Sequence, residues 1–290
     1  MNPSLLRMRR GVQVAVLVFF ALLPWLNRWG LHGASGNLFA LNIFGIPFAD
    51  PLATLQVAVG GTQPATHLLL GGALVLALAA MLGRVFCSWG CPFGLLSEVV
   101  HACAPRNDKP LPARRPVLWR LCSMVLGLLP VILAGIPLLN HLSLPGELSL
   151  QCMELAQRVP APSASLLVIA AILAMEWRTG QRLWCRYVCP QSVLLSVVAG
   201  RLPGGLRLTR NMRHCTCKPN DRACAGTCPL DLAPRNPLSA TPMECTNCGK
   251  CVTACSARGG ALSLTFGHWR TTSNHTPCST SSATKKHRRQ

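Results

Sequence analysis

Long apolar runs alternate with short basic segments along the first 200 residues of the chain. The clearest runs cover residues 12–26, 66–86, 117–139 and 164–177. A helix rises 1.5 Å per residue, so about 20 apolar residues cross a bilayer. We therefore expect four transmembrane helices, the first and the fourth extended by their neighbouring residues.

The remaining segments predict two further regions and one membrane-surface stretch. Residues 38–59 are apolar but are interrupted by Gly45, Pro47 and Pro51, which favours a surface-lying or re-entrant segment over another span. Pro203, Gly204 and Gly205 are typical of a hinge. The sequence thus divides into a transmembrane domain (1–203), a soluble domain (204–269) and a Ser/Thr-rich basic tail (270–290) that we expect to be disordered.

Composition supports a membrane protein. Half of the residues are hydrophobic and 13% are charged, about half the usual share for soluble domains. The formal net charge of +19 is also compatible with nucleic-acid binding. However, the charges of the first 200 residues flank the apolar runs, so we attribute them to membrane topology and expect no nucleic-acid partner.

The distribution of basic residues predicts the orientation. The N-terminus, the inner end of the second span and the following loop hold nine Lys and Arg residues, whereas the two opposite segments hold only Arg28 and Arg158. Short loops with this bias face the cytoplasm. We therefore expect a multi-pass protein of the bacterial inner membrane with both termini cytoplasmic. The first run is expected to stay uncleaved, because no small-residue cleavage site follows it.

The densest cysteine motif lies near the end of the chain. Cys245, Cys248, Cys251 and Cys255 have the spacing C-x2-C-x2-C-x3-C, which is typical of four-iron ferredoxins, whose fourth cysteine serves a second cluster. Ser256 follows where the bacterial pattern usually has proline. Zinc is the alternative for paired C-x2-C units, but four cysteines in eleven residues are too compact for a zinc ribbon.

A less regular motif precedes it. Cys224 and Cys228 match the end of a second ferredoxin motif, but Lys218 and Asp221 stand where its first cysteines belong. The cross-over rule predicts two 4Fe-4S clusters in a small α+β ferredoxin-like domain. The first cluster would use Cys228, Cys245, Cys248 and Cys251, and the second would use Cys215, Cys217, Cys224 and Cys255. The altered spacing leaves open whether the second cluster has four irons, three irons or is absent.

Two more cysteine pairs follow the second and the fourth apolar run. Cys87 and Cys91, like Cys185 and Cys189, form C-x3-C-Pro motifs at the expected cytoplasmic ends of these spans. On a helix, residues i and i+4 share one face, so each pair would present two thiols together. The duplication suggests an internal pseudo-repeat and a joint metal or dithiol redox site. The alternative is that each pair only packs at its own helix end.

These motifs together resemble the NapH/MauN family of ferredoxin-type membrane proteins. The resemblance covers roughly residues 8–266 and depends on 50-DPLxTLQ-56, 64-PAT-66, 86-FCSWxCP-92, the Cys185 pair and the Cys245 motif. It implies an all-α bundle of four transmembrane helices, cytoplasmic four-iron clusters, and electron transfer between the quinone pool and a periplasmic enzyme system through other electron-transfer proteins. NapH-like members feed nitrate reductase, whereas MauN-like members accompany methylamine utilisation. The irregular motif at residues 215–228 favours the MauN side.

Three functions follow from these features. The first is membrane electron transfer with quinol as the electron source, and the second is maturation of a periplasmic dehydrogenase or nitrate reductase. The third is a metal-binding membrane scaffold without electron flow. The sequence shows no nucleophile–base set and no nucleotide-binding loop, so we assign no catalytic residues.

Overall fold

The computed structural model of the chain describes residues 3–29, 33–60, 65–105, 116–135, 138–156, 163–199, 204–217, 224–236 and 239–267. The predicted disordered tail, the basic residues of the loop 106–115, and Arg158 lie outside the described residues. The described part is mostly helical and carries two small antiparallel sheets. The helices are α1 (Pro3–Arg28), α2 (Pro51–Val59), α3 (Thr66–Leu82), α4 (Phe86–Trp89), α5 (Pro92–Cys103), α6 (Pro116–Ala134), α7 (Leu138–Leu142), α8 (Leu144–Ala156), α9 (Ser163–Thr179), α10 (Gln191–Val198) and α11 (Lys250–Ser256).

The four predicted spans correspond to α1, α3, α6 and α9. By length and composition, two helices are suited to crossing a membrane, Ser4–Arg28 and Pro116–Ala134, while Thr66–Leu82 is apolar but shorter. All four helices expose large apolar side chains, as a lipid-facing surface requires. Examples are Val14 and Leu22, Leu70 and Met81, Leu126 and Leu133, and Leu167 and Val168. Four spans remain a prediction.

A three-stranded sheet occupies the segment after α1, and the sequence analysis did not predict it. The strands are β1 (Ala34–Gly36), β2 (Ala40–Ile43) and β3 (Ile46–Ala49), paired in the order β1-β2-β3. The turn between β2 and β3 uses Phe44 at φ 49° and Gly45 at φ 86°. Two consecutive positive φ values suit the right-handed twist of a hairpin. The interruptions noted in the sequence therefore mark a hairpin, followed by α2.

The segments expected on the outer side pack against one another. The amide of Leu38, before β2, donates to Oγ of Ser149 on α8 at 3.1 Å. Ser143, between α7 and α8, donates to the carboxylate of Asp50 at 3.3 Å. Asp50 also caps α2 by accepting from the amide of Leu52 at 2.9 Å. These contacts gather the sheet, α2, α7 and α8 at one end of the helical bundle.

The C-terminal segment packs at the other end. Here β4 (Leu206–Arg210) pairs with β5 (Leu262–Phe266). The two strands and α11 share a core of small and aliphatic residues. Polar side chains of the bundle hold this segment in place. Arg84 donates to the carbonyl of Met243 at 2.7 Å, and Ser88 donates to that of Thr246 at 2.7 Å. Because α1, α3 and α5 all reach this segment, these inner ends share one side of the molecule.

Candidate metal centres lined by cysteine

Three cavities in the described structure are each lined by four cysteines. We call them the anchor cavity, the distal cavity and the rim cavity. The anchor cavity is lined by Cys228, Cys245, Cys248 and Cys251, the distal cavity by Cys215, Cys217, Cys224 and Cys255, and the rim cavity by Cys87, Cys91, Cys185 and Cys189. Their empty volumes, partly open to solvent, are about 430, 290 and 510 Å³ respectively. All twelve cysteines singled out from the sequence therefore lie on one of these cavities.

A tight loop builds the anchor cavity. Asn247 at φ 50° and Gly249 at φ 75° are both left-handed and reverse the chain within a few residues. The amide of Asn247 donates to Sγ of Cys245 at 3.4 Å. Helix α11 then begins at Lys250, which places Cys251 in its first turn. The loop thus bends three thiols toward one space, and the amide of Asn247 bonds to one of their sulfur atoms.

The side chain of Asn247 ties this loop to the bundle. Its Nδ2 atom donates to the carbonyl of Leu82 at the end of α3 at 3.1 Å and to that of Leu206 in β4 at 3.0 Å. Asn247 is itself buried. Because one amide group bridges the apolar helix and the cysteine loop, the loop has a fixed position relative to α3.

Burial disfavours the bare thiolate form in the anchor cavity. Desolvation, aided by neighbouring Cys248, raises the pKa of Cys228 to about 12. Desolvation also raises the pKa of Cys245 to about 11, although the amide of Asn247 and two arginines oppose it. Metal-bound thiolates carry their charge against a cation, which removes this penalty. The site chemistry therefore suits a cationic group and does not suit free thiolates.

The distal cavity accommodates the irregular spacing of the second motif. A short 3₁₀ turn, Met212–His214, delivers Cys215 and Cys217 to the same space as Cys224 and Cys255. Arg235 and Arg258 also line it, so positive charge surrounds the four thiols. Residues 218–223 lie outside the described residues. The displaced cysteines thus line the same cavity as Cys224 and Cys255.

The anchor and distal cavities are neighbours through the chain itself. Cys251 and Cys255 lie one helical turn apart on α11, and each lines a different cavity. One turn advances about 5.4 Å. Cys228 and Cys224 are divided between the cavities in the same way. This reciprocal arrangement matches the cross-over pattern of cysteines in two-cluster ferredoxins.

The rim cavity lies where the bundle meets the C-terminal segment, and its local structure differs from the prediction of two regular helical pairs. Cys87 lies in the single turn α4, whereas Cys91 is the N-cap of α5. Cys185 lies in a π-helical turn, Trp184–Val188, and Cys189 caps the end of that turn. In the first pair, Cys91 is extended because the residue before a proline avoids the helical region, so the helix breaks between the two cysteines and α5 begins at Pro92.

The other cysteines of the described residues do not line these cavities. Cys103 and Cys122 are exposed, and Cys152 is partly buried on α8 at the opposite end. Among the described residues, no three His, Cys, Asp or Glu side chains are arranged to hold a single metal ion.

Several functional candidates escaped the sequence analysis because their partners are distant in the chain. Arg84 and Arg182, both buried, line the rim cavity. Glu98 and Lys250 form an ion pair at 2.6 Å between α5 and α11. The signal that could have found the arginines is local: each is a lone charge three residues before the first cysteine of a C-x3-C-Pro pair.

Comparison with known proteins agrees with this chemistry. A family model described as a 4Fe-4S binding domain matches residues 64–110 and again residues 161–209. The chain is 28% identical to the "Ferredoxin-type protein NapH" of Escherichia coli over 260 residues, covering 86% of this chain and 85% of that protein. It is 27% identical to the "Putative electron transport protein YccM" of the same organism over 281 residues, covering 89% and 74%.

A second group of relatives carries the other family name. The chain is 28% identical to the "Methylamine utilization ferredoxin-type protein MauN" of Methylorubrum extorquens over 202 residues, covering 66% of this chain and 64% of that protein. No solved structure matches the chain.

These findings show that the chain is similar to iron–sulfur proteins of the ferredoxin type. The resemblance to the NapH/MauN ferredoxin-type proteins is confirmed, because relatives of both names match most of the chain at 24–28% identity. The identities do not separate the two branches, so the preference for MauN remains a prediction. The duplicated match of the family model also coincides with the internal repeat expected from the two C-x3-C-Pro pairs.

Proposed function

We propose that this protein is a membrane-bound electron-transfer protein with two 4Fe-4S clusters, which exchanges electrons between the quinone pool and a periplasmic enzyme system. The observation that carries the proposal is the pairing of the anchor and distal cavities. Eight thiols divide into two sets of four, and the sets alternate along the chain as in two-cluster ferredoxins.

The residues fit iron–sulfur clusters in donor chemistry and surroundings. Each cavity offers four sulfur donors, and the anchor loop adds the amide of Asn247 to Sγ of Cys245. Arg210, which donates to the carbonyls of Pro234 and Ala240 at 2.6 and 2.7 Å, braces the segments flanking the anchor cavity. When bound, such clusters supply one-electron transfer at potentials set by burial, charge and hydrogen bonds to sulfur.

The protein's own residues keep this site dry and fixed. Cys248 and Cys251 are buried, and Leu208, Leu230 and Leu232 cover the anchor cavity. A low-dielectric shell of this kind strengthens each nearby charge and dipole. The chain thereby controls the potential of the site through fixed groups, without relying on mobile solvent.

The location of the cavities supports transfer at a membrane. The bundle exposes apolar side chains on α1, α3, α6 and α9, and the C-terminal segment lies at the end where the charged residues Arg9, Arg84 and Arg120 are buried. We propose four spans with both termini and the cavities in the cytoplasm, in agreement with the bias of basic residues. The quinone pool and a periplasmic partner are part of this proposal.

Spectroscopy of the purified full chain tests the presence of the clusters. After anaerobic purification and reduction, the protein should show the electron paramagnetic resonance of 4Fe-4S clusters. Replacing Cys248 by Ala should abolish the anchor signal, whereas replacing exposed Cys122 by Ser should leave the spectrum unchanged. Stoichiometric zinc without iron, or unchanged spectra in the Cys248→Ala variant, would contradict the proposal.

A deletion strain separates electron transfer from the maturation alternative. If the chain carries electrons, the dependent periplasmic enzyme should be mature and active with an artificial donor, but inactive with quinol. A partner enzyme that is present but immature would favour maturation.

A further inference from the structure

We propose that the rim cavity holds a third iron–sulfur cluster, bound by the thiolates of Cys87, Cys91, Cys185 and Cys189. This inference goes beyond the two clusters of the proposed function, and it depends on that function only for the role given to the third cluster. Four thiols from two separate chain segments line this one cavity at the inner end of the bundle.

The two halves of the site are structurally equivalent. Each half follows one apolar helix, α3 or α9, and each is followed by a short helix, α5 or α10. The segments 64–110 and 161–209, which match the 4Fe-4S family model, contain these two pairs and none of the eight cysteines of the anchor and distal cavities. The match therefore favours a four-iron cluster over a single zinc or copper ion at this site.

Two buried arginines supply positive charge around the cavity. Arg182 is 5% exposed, and its Nη2 atom lies 3.7 Å from Sγ of Cys185. Arg84 is 1% exposed and lines the same cavity. A cluster held by four thiolates carries net negative charge, and a buried charge is stable only when it is paired. The two arginines thus place positive charge around the cavity, which would offset the negative charge of a bound cluster.

The position of Arg182 is fixed by a buried hydrogen-bond network. Its Nε donates to Oγ of Ser97 at 2.9 Å, and its Nη2 donates to the carbonyl of Gly94 at 3.0 Å. Ser97 in turn donates to Glu176 at 2.5 Å, and Glu176 accepts from the amide of Trp184 at 3.0 Å. The network joins α5 to α9 and to the π-helical turn. The guanidinium group of Arg182 therefore cannot move away from Cys185 without breaking several hydrogen bonds.

Several hydrogen-bond donors lie around the rim cavity. The amide of Gly94 donates to Sγ of Cys91 at 3.2 Å. Within the described part of the chain, the Nε1 atom of Trp184 and the Nε atom of Arg84 are buried and have no hydrogen-bond partner. Both residues line the rim cavity. A buried donor without a partner destabilises the structure, and cluster sulfur atoms would provide acceptors.

The rim cavity adjoins the anchor cavity. Leu230 and Thr246 line both of them, and Cys185 packs against the core of the C-terminal segment. The anchor cavity is therefore linked to both of the others, to the distal cavity through α11 and to the rim cavity through shared lining residues. Electron exchange between neighbouring clusters moves one electron from the reduced to the oxidised cluster, with no bond made or broken. The rim cluster would lie next to the bundle and exchange electrons with the anchor cluster.

The iron and acid-labile sulfide content of the anaerobically purified full chain tests the third cluster. Three four-iron clusters give about twelve irons and twelve sulfides per chain, whereas two give about eight. The Cys87→Ser/Cys185→Ser double variant should lose about four irons and keep the signals of the other two clusters. The matched control, Cys103→Ser/Cys122→Ser, should keep about twelve.

Other metal contents would contradict the third cluster, the two clusters of the proposed function, or both, and each outcome shows which one fails. About eight irons in the wild type, unchanged in the double variant, would exclude a third cluster while leaving the proposed function intact. Stoichiometric zinc or copper lost only in the double variant, or a disulfide linking the rim cysteines, would also overturn it. About four irons that disappear only with the rim cysteines would refute the two clusters of the proposed function and support the rim site.

A charge variant tests the site without removing a ligand. Replacing Arg182 by Gln removes a positive charge beside Cys185 and should lower the midpoint potential of one cluster out of three, whereas Arg182→Lys should retain most of the wild-type value. The same midpoint potentials in the wild type, Arg182→Gln and Arg182→Lys would contradict a cluster in the rim cavity.

Discussion

The ammonium group of Lys250 lies 2.6 Å from a carboxylate oxygen of Glu98, and this ion pair joins the helix that carries Cys251 and Cys255 to the helix that follows Cys91. Glu98 is 1% exposed and also pairs with Arg9 of α1. One carboxylate therefore connects the first helix of the chain, the helix α5 that begins beside the rim cavity and the helix α11 that carries Cys251 and Cys255.

Loss of this carboxylate should destabilise the contact between the bundle and the C-terminal segment. Burial raises the pKa of Glu98, but Lys250 and Arg9 outweigh burial and hold it at about 2. The stabilisation is therefore fully present above the unfolded pKa of 4.5 and is lost as the pH falls from there through about 2. Glu98→Gln should cost about 3–5 kcal/mol at pH 7, because it leaves buried cations unpaired.

Thermal unfolding in detergent at pH 7 and pH 5.5 measures this effect. Both values lie above the titration range, so the difference between Glu98→Gln and the wild type should be the same at both. The control is Asp231→Asn, since Asp231 is 41% exposed and lies 3.8 Å from Arg186; it should cost less than about 1 kcal/mol. Equal losses in the two variants would show that burial of the pair does not matter.

At the opposite end of the molecule, the contribution of Asp50 to stability should fall as the pH rises, the reverse of the effect at Glu98. Burial raises the pKa of Asp50 to about 6, although bonds from Leu52 and Ser143 oppose it. A raised carboxyl pKa stabilises the fold at low pH, and this contribution is lost as the pH rises from about 4 through 6. Between pH 5 and pH 8 the wild type should therefore lose about 1–2 kcal/mol that Asp50→Asn does not lose.

This prediction is testable because Asn keeps the N-cap function of Asp50. Unfolding free energies of the two proteins at pH 5 and pH 8 provide the comparison. Parallel pH dependence in both would mean that Asp50 is not the titrating group.

Gly249 should be intolerant of a side chain for two separable reasons. Its φ of 75° costs a non-glycine residue about 1–2 kcal/mol. A Cβ atom would also lie 2.7 Å from a methyl carbon of Leu5 on α1. Gly260 has a φ of 67° but meets no atom within 4 Å, so Gly260→Ala isolates the backbone effect.

We expect Gly249→Ala to lower stability and bound iron more than Gly260→Ala. The Leu5→Ala/Gly249→Ala double variant should recover part of the difference, because the methyl group is removed. Thermal unfolding and iron content check both statements. Equal effects of the two glycine variants would contradict close packing of α1 on the cysteine loop.

The proposed orientation of the bundle predicts the behaviour of reporter fusions. Fusions after Gly30 and after Ser143 should behave as periplasmic, since the basic residues concentrate at the opposite end. Fusions at Asp108 and at Gln290 should behave as cytoplasmic. The reverse pattern would contradict the four-span arrangement and its orientation.

The sequence predicted those features that depend on local spacing. Helix positions follow from the apolar runs, and the cysteine sets follow from the ferredoxin spacing, since one turn of helix separates Cys251 from Cys255. The sheet at residues 34–49 was not predicted, because strands of three or four residues within apolar sequence carry little periodicity. Gly45 is the only residue of its turn that the sequence marks, because Phe44 is unusual at a positive φ.

The arginine contacts could not be predicted either. Arg84 meets the carbonyl of Met243 across 159 positions, and Arg120 reaches Glu244 across 124 positions at 2.7 Å. No periodicity encodes partners this far apart. The regular helical turns expected at the C-x3-C-Pro motifs were wrong for a local reason: Pro92 begins a new helix, and Trp184–Val188 forms a π-helical turn.

Quinol-driven cluster reduction tests the central claim most directly. Inner-membrane vesicles containing the full chain would receive a quinol under anaerobic conditions, and frozen samples would be followed by electron paramagnetic resonance. We predict that reduced 4Fe-4S signals appear in the wild type and in Cys122→Ser, with the anchor signal absent in Cys248→Ala. Clusters that dithionite reduces but that neither accept electrons from quinol nor lose them to quinone would contradict the account.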